Sequence, residues 1–390
     1  MKFIIRNGFS CLVIFCILLF TACKEESLTI SNDPKNFSEI FDAFWTDMNT
    51  NYVYWDVDTT DWDAIHQKYK PIFAQLDINN FSDKIKSVQY FDEMTKDLID
   101  GHYHISFSNS TISSFSVYPS FERKQKSANF HYPFSYFSID TTYLDQNYSL
   151  GSDKNNSYNE NPLTVLSGTI DEHIIFVSCS NFSLLKSYYS TIPNQVQNSL
   201  NHFFDLLSNI TDNTKGIIID VRGNQGGDIG DLNFFIGKFI DKPLHFGYTQ
   251  AKSNNGRLDY TPWIKAFVNP EPNAKAIKIP IVVLADMSSA SLSEAVVMAI
   301  KSLPNGIFIG ENTWGATGPI AENKVYNDGQ FIVANFLSVL TSSCKFKYLD
   351  NKVYEGKGFP PDISVPFNSI EIINGKDSQL EKAIEVIQGK

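Results

Sequence analysis

The chain is short of what several large protein classes require. It has 5 cysteines in 390 residues, and three of them (Cys11, Cys16, Cys23) fall within the first 23 positions. Cys179 and Cys344 remain, each in an apolar, strand-like run. Two residues can pair in an oxidising compartment or stay as buried thiols, but they make no zinc-type spacing. Positive charge is also scarce: 32 Lys and Arg stand against 43 Asp and Glu, a formal net charge of −11. A fold this acidic is a poor partner for nucleic acid or an anionic membrane surface. Neither a Gly-Lys-Ser/Thr phosphate loop nor a dinucleotide fingerprint occurs, and no internal repeat is visible. Aromatic residues abound instead, with 31 Phe and 18 Tyr in a composition that is 43% hydrophobic. That is enough for a sizeable core, in one large domain with a smaller companion.

The N-terminus reads as an export signal. Lys2 and Arg6 precede the apolar run Cys11 to Phe20, and Phe20-Thr21-Ala22 supplies small residues before Cys23. The stretch resembles the lipobox of bacterial lipoproteins, which implies cleavage before Cys23 and lipid on that cysteine. Residues 1–22 are then signal and 23–36 a lipidated tether. With Lys24-Glu25-Glu26 following, the expected location is the outer membrane or cell surface of a Gram-negative-type bacterium, facing the periplasm or the exterior. The apolar run is short for a membrane span, so the only expected membrane contact is the lipid on Cys23.

Periodicity divides the rest. Ile40, Phe41, Phe44 and Trp45 recur on one helical face, as do Ile65, Tyr69, Ile72, Phe73 and Leu76. Residues 37–104 therefore read as a small helical domain and 105–165 as connecting strands and loops. From 166 to 370 strands and helices alternate: His173 to Val177, helix Val196 to Leu207, strand Gly216 to Val221, helix Leu232 to Ile240, strand Ile281 to Ala285, helix to Ile300, then strands at Gly306 to Ile309 and Phe331 to Leu340. This order predicts an α/β core, with residues 371–390 as a C-terminal helix or tail.

Four segments carry chemistry. Asp220-Val221-Arg222-Gly223-Asn224-Gln225-Gly226-Gly227 is a glycine turn between strand and helix, able to aim backbone N–H groups at an anion. Ser288-Ser289-Ala290-Ser291-Leu292-Ser293-Glu294 lies at the next strand-to-helix turn. A serine there is either a helix cap, as Ser291-x-x-Glu294 suggests, or a nucleophile that gains from the helix dipole. Asp100-Gly101-His102-Tyr103-His104 offers an imidazole base. Tyr354-Glu355-Gly356-Lys357-Gly358-Phe359-Pro360-Pro361-Asp362 offers a carboxylate able to orient an imidazole.

In this order the four segments resemble the motifs of the C-terminal-processing (tail-specific) and tricorn-type serine peptidases, family S41. Ile309-Gly310-Glu311-Asn312-Thr313-Trp314-Gly315 is similar to the family's Gly-Glu-x-Thr-x-Gly. The resemblance implies an α/β, ClpP/crotonase-like catalytic core with a small N-terminal helical domain, and no carboxylate-binding loop of a PDZ domain is visible between them. It implies a serine-type endopeptidase acting on peptides or unfolded proteins, without cofactor or metal. The nucleophile is then Ser291. The lysine of the family's Ser-Lys dyad falls at Ala316, which cannot take a proton, and Lys324, Lys345 and Lys347 match no motif. The tricorn-type arrangement remains, with His102 as base, Glu355 orienting it, and Gly226 or Gly227 with Leu292 as oxyanion donors; His104 is a competing base. Tricorn has a serine before its histidine where this chain has Gly101, so the fourth member of the tetrad is unassigned. The alternatives are a binding protein on the same fold, since fold alone does not fix function, and an esterase using the same groups.

Overall fold

A computed structural model describes residues 35–158, 161–320, 329–333 and 335–389. The export signal, Cys23 and Lys324 lie outside them. Among the described residues no helix is long and apolar enough to cross a membrane.

The N-terminal helices start where short polar side chains cap them. Asn36, Asp61 and Asn80 accept the N–H of Glu39, Ala64 and Asp83 at the heads of Phe37–Asn51, Trp62–Phe73 and Phe81–Thr95. Each such cap contributes about 1 kcal/mol. The apolar faces meet in an aromatic core of Phe37, Phe41, Phe44, Trp62, Phe73 and Phe91. That core is not closed by residues 37–104, as the sequence suggests. Val333, Phe336, Leu337 and Val339 complete it, from a four-stranded sheet ordered Gln330–Val333, Leu337–Leu340, His104–Phe107, Ser116–Val117. The run Phe331 to Leu340 is thus a hairpin rather than one strand. Asn335 takes φ +52° at its turn, a conformation asparagine tolerates better than most residues.

The larger core surrounds a seven-stranded sheet. Its spatial order is Ile363–Ser364, Gly306–Gly310, Ile281–Ala285, Gly216–Asp220, Ile174–Cys179, Asn161–Ile170 and Ser149–Tyr158. The first five are parallel, and the last two add an antiparallel edge. Residues 149–158 and 161–165, expected among connecting strands and loops, therefore belong to the sheet. Buried on both faces, the central strands read as unbroken apolar runs. Ile217, Ile219, Ile281 and Val283 pack on one face with Gln195–Ser208 and Leu292–Lys301, while Ile218, Val282 and Leu284 pack on the other with Leu380, Ala383 and Ile387 of Ser378–Gln388. A third sheet joins Cys344–Tyr348, Leu244–Ala251 and Ile264–Val268. Cys179 and Cys344 are free thiols in different sheets.

Sheet topology gathers the chemistry at one end of the molecule. The glycine turn, the serine turn and the Gly-Glu-x-Thr segment all leave the carboxyl ends of adjacent parallel strands, where open α/β sheets place their ligand crevice.

Candidate active site

Buried polar groups set the shape of the glycine turn. Arg222 is fully enclosed, paired with Asp220 at 2.5 Å, Asp377 at 2.8 Å and Asp140 at 3.5 Å, and its guanidinium lies 3.7 Å from the Tyr136 ring centroid. Motif residues Asp220 and Arg222 therefore lock the base of the turn to the C-terminal helix. The local sequence does not reveal this role because Asp140 and Asp377 are distant in the chain. Asn224 then staples the glycine turn to the serine turn. Its carbonyl accepts Ala290 N at 3.1 Å and Ser293 Oγ at 2.7 Å, and its Oδ1 accepts Gly226 N at 2.8 Å.

Two of the four serine hydroxyls are spent on structure. Ser289 Oγ donates to the Val221 carbonyl at 2.7 Å, and Ser293 Oγ goes to Asn224. Ser291, half-buried, heads Leu292–Lys301 with φ +56° and ψ −119°. A non-glycine residue there costs on the order of 1–3 kcal/mol, and such strain collects at functional sites. A sharp strand-to-helix elbow of this kind presents a nucleophilic hydroxyl in α/β-hydrolases. The expected partnership with Glu294 is present on the carboxylate side: Glu294 Oε2 accepts Ser291 N at 3.1 Å.

Backbone donors flank Ser291. A Cβ on Gly226 would sit 2.7 Å from Ser291 Cβ and 2.8 Å from Leu292 N, so the two turns meet with no room for a side chain. Gly226 N is committed to Asn224 Oδ1, which leaves Gly227 of the two glycines expected as alternative oxyanion donors beside Leu292. Gly227 N and Leu292 N have no acceptor among the described residues, and Leu292 is the first residue of a ten-residue helix, where the dipole favours negative charge.

Two buried glutamates tie the serine elbow and the histidine turn to one segment. Glu294 accepts Thr313 Oγ1 at 2.6 Å, Gly315 N at 2.8 Å and Ala316 N at 2.7 Å besides Ser291 N. Glu355 accepts Gly101 N at 2.7 Å and Thr317 N, Thr317 Oγ1 and Gly318 N, each at 2.8 Å. The serine elbow and the histidine turn thus hang on consecutive residues, 315–318. Contact is direct as well: a Cβ on Gly101 would collide with the Gly315 carbonyl and lie 2.7 Å from Ala316 Cα. No serine fits at 101 without moving that segment. Lys345 is buried against Asp56 at 2.5 Å and Lys347 lies over the Trp263 ring at 4.5 Å; neither takes the place left by Ala316.

Asp100, His102 and Glu355 form one cluster, their ligand-type atoms within 4.8 Å of one another. The donor set does not suit a metal. Glu355 already accepts four donors, and Asp100 accepts His102 N at 2.8 Å, Thr341 Oγ1 at 2.6 Å, Ser342 N at 2.7 Å and Ser342 Oγ at 2.9 Å. Burial, reinforced by the Asp100 charge, pushes the Glu355 carboxyl up to about 8. Desolvation lowers the His102 imidazole below its ordinary value, with Asp100 opposing, so the ring is neutral and able to accept a proton near pH 7. Among the described residues the ring's hydrogen bond joins Nδ1 and Ser342 Oγ, 3.4 Å apart. None joins it to Glu355, whose contribution is the placement of Gly101. His104 turns toward Ser106 Oγ at 3.3 Å and the Tyr118 ring. Ser342 is the residue that sequence reading missed; the missing signal was the register that carries it past His102.

Comparison with known proteins accords with this geometry. The model of peptidase family S41 matches residues 176–365, and that of the tricorn protease C1 domain matches 33–76. These matches support an S41-type serine peptidase. It is 24% identical to tricorn protease of Thermoplasma acidophilum over 199 residues, 51% of this chain and 16% of that protein. It is 30% identical to the carboxy-terminal processing protease CtpA of Bacillus subtilis over 149 residues, 38% of this chain and 28% of that one. The matched stretch spans half or less of the length of these curated relatives. Among solved structures, a protein of Parabacteroides merdae assigned as a peptidase shares the fold, with TM-score 0.69, 23% identity and 91% and 97% of the two chains covered.

Proposed function

We propose that this chain is a serine endopeptidase acting on peptides or unfolded proteins, with Ser291 as nucleophile and His102 as general base. What carries the reading is the attachment of both turns to residues 315–318 through Glu294 and Glu355, beside two unclaimed backbone donors. In this mechanism the neutral His102 ring takes the Ser291 proton as the hydroxyl attacks the scissile carbonyl. Gly227 N and Leu292 N hold the developing oxyanion, and the imidazolium then protonates the leaving amine. Asp100 supplies negative charge that stabilises the imidazolium. Water repeats the sequence on the acyl-enzyme.

The test is labelling by a fluorophosphonate probe together with hydrolysis of fluorescein-casein. Ser291→Ala and His102→Ala should each lose both activities while keeping the wild-type melting transition. Turnover retained in Ser291→Ala would sink the assignment. A protein that never labels is instead a binder on this fold, and one that labels but cleaves only esters is an esterase. The chain is also proposed to reside as a lipoprotein in the outer membrane or at the cell surface. Cys23→Ala should then abolish incorporation of radiolabelled palmitate and release the protein from the membrane fraction.

A further inference from the structure

The histidine in this site is held by a different residue from the one its motif suggests. Glu355 has four donors on its two oxygens and accepts no hydrogen bond from His102 among the described residues. The strand Leu337–Leu340 runs antiparallel to His104–Phe107 with His104 opposite Leu340. Two residues further along the same register, Ser342 comes opposite His102. There its hydroxyl donates to Asp100 Oδ1 at 2.9 Å, which leaves an oxygen lone pair facing His102 Nδ1 at 3.4 Å. Asp100 cannot reorient to replace it, since its other contacts are the N–H groups of His102 and Ser342 and the Thr341 hydroxyl.

We infer that Ser342, backed by Asp100, is the positioning residue that fixes the His102 ring with its proton on Nδ1 and its Nε2 lone pair free for the nucleophile. The inference rests on the reading of Ser291 and His102 as nucleophile and base. A hydroxyl whose own proton is committed to a carboxylate can only accept from the ring, so it selects one tautomer. As charge develops on the imidazole, the polarised hydroxyl stabilises it in the way a directly bonded carboxylate does in a serine triad. Gly101 leaves no side chain before the histidine, and the Ser342 hydroxyl enters from the opposite strand instead.

The experiment compares Ser342→Ala and Ser342→Cys with wild type in the rate of fluorophosphonate labelling as a function of pH. Ser342→Ala should label roughly 10- to 100-fold more slowly, less than the 10²–10⁴ a general base contributes. Ser342→Cys, of similar size but a weaker hydrogen-bonding group, should fall between. The acidic limb of the Ser342→Ala profile should move to lower pH, because the imidazolium loses its acceptor. A merely structural defect would lower the rate at every pH without moving the limb, and that result overturns the proposal. So does wild-type labelling by Ser342→Ala while Ser291→Ala and His102→Ala are silent. Should Ser291→Ala itself label, the underlying reading fails and the proposal with it. Nitrogen NMR of the wild type, with all 7 histidines labelled and His102 assigned by its absence in His102→Ala, reads the tautomer without relying on a variant's folding. A proton on Nδ1 is expected; one on Nε2 overturns the inference.

Discussion

Replacing Gly101 by serine would write the tricorn-type serine-histidine pair into this chain, and it should damage the protein. The reason is space rather than backbone angle. A Cβ at 101 collides with the Gly315 carbonyl and comes within 2.7 Å of Ala316 Cα and 2.8 Å of Ala316 Cβ, all short of ordinary contact. The first two are backbone atoms, so no rotamer change relieves them. The segment 315–318 must shift, and it carries hydrogen bonds to both buried glutamates. Overpacking of this kind costs about 1–3 kcal/mol. A further loss of about 1–3 kcal/mol comes with each buried N–H left without its acceptor. Taking one such loss, Gly101→Ser should be destabilised by about 2–6 kcal/mol in guanidinium unfolding, read as a lower midpoint at unchanged slope. Labelling of Ser291 should fall with it, because the displaced segment holds the serine elbow through Glu294. A Gly101→Ser protein within about 0.5 kcal/mol of wild type that labels normally would refute the packing argument.

The same contacts set the outcome of other perturbations. Glu294→Gln places an amide where two of four donors need an acceptor, and should cost about 2–5 kcal/mol in chemical denaturation with loss of labelling. Gly226→Ala, at φ +101° and 2.7 Å from Ser291 Cβ, should cut the labelling rate by at least about tenfold while costing only about 1–3 kcal/mol of stability. For pH, desolvation lowers the His102 pKa, so activity should rise through an acidic limb lying below 6.5, measured as labelling rate against pH. Glu355 has the opposite sign. Its carboxyl, 4.5 in the free state, is pushed up to about 8 by burial and Asp100, so its contribution to stability is full below 4.5 and lost as pH rises through about 8. Denaturation midpoints should decline over that window, and less steeply in a Glu355→Gln variant.

Much of this molecule is written in short stretches of sequence. The strands Gly216–Asp220 and Ile281–Ala285 announce themselves as β-branched runs, and the turns after them by glycine and serine. Local chemistry suffices there, because a strand buried on both faces must be apolar and a sharp turn must be small. Ala316 likewise removes the family's dyad lysine from its motif position, since a methyl group cannot accept a proton. The roles of side chains that meet across the fold were not legible. Glu355 read as the carboxylate behind His102, yet folding commits its oxygens to Gly101, Thr317 and Gly318. Gly226 read as an oxyanion donor, yet its N–H is taken by the side chain of Asn224. The small helical domain looked self-contained, yet its aromatic core closes only with Phe336 and Leu337, some 300 residues after Phe37. Each outcome depends on which distant groups compete for one donor or one apolar face, and local sequence carries no record of that competition. Sequence by itself determined the elements, the elbow serine and the candidate base. The tertiary structure decided which hydrogen bond that base makes, because strand register brings Ser342 opposite His102 and no local pattern encodes register between strands so far apart in the chain.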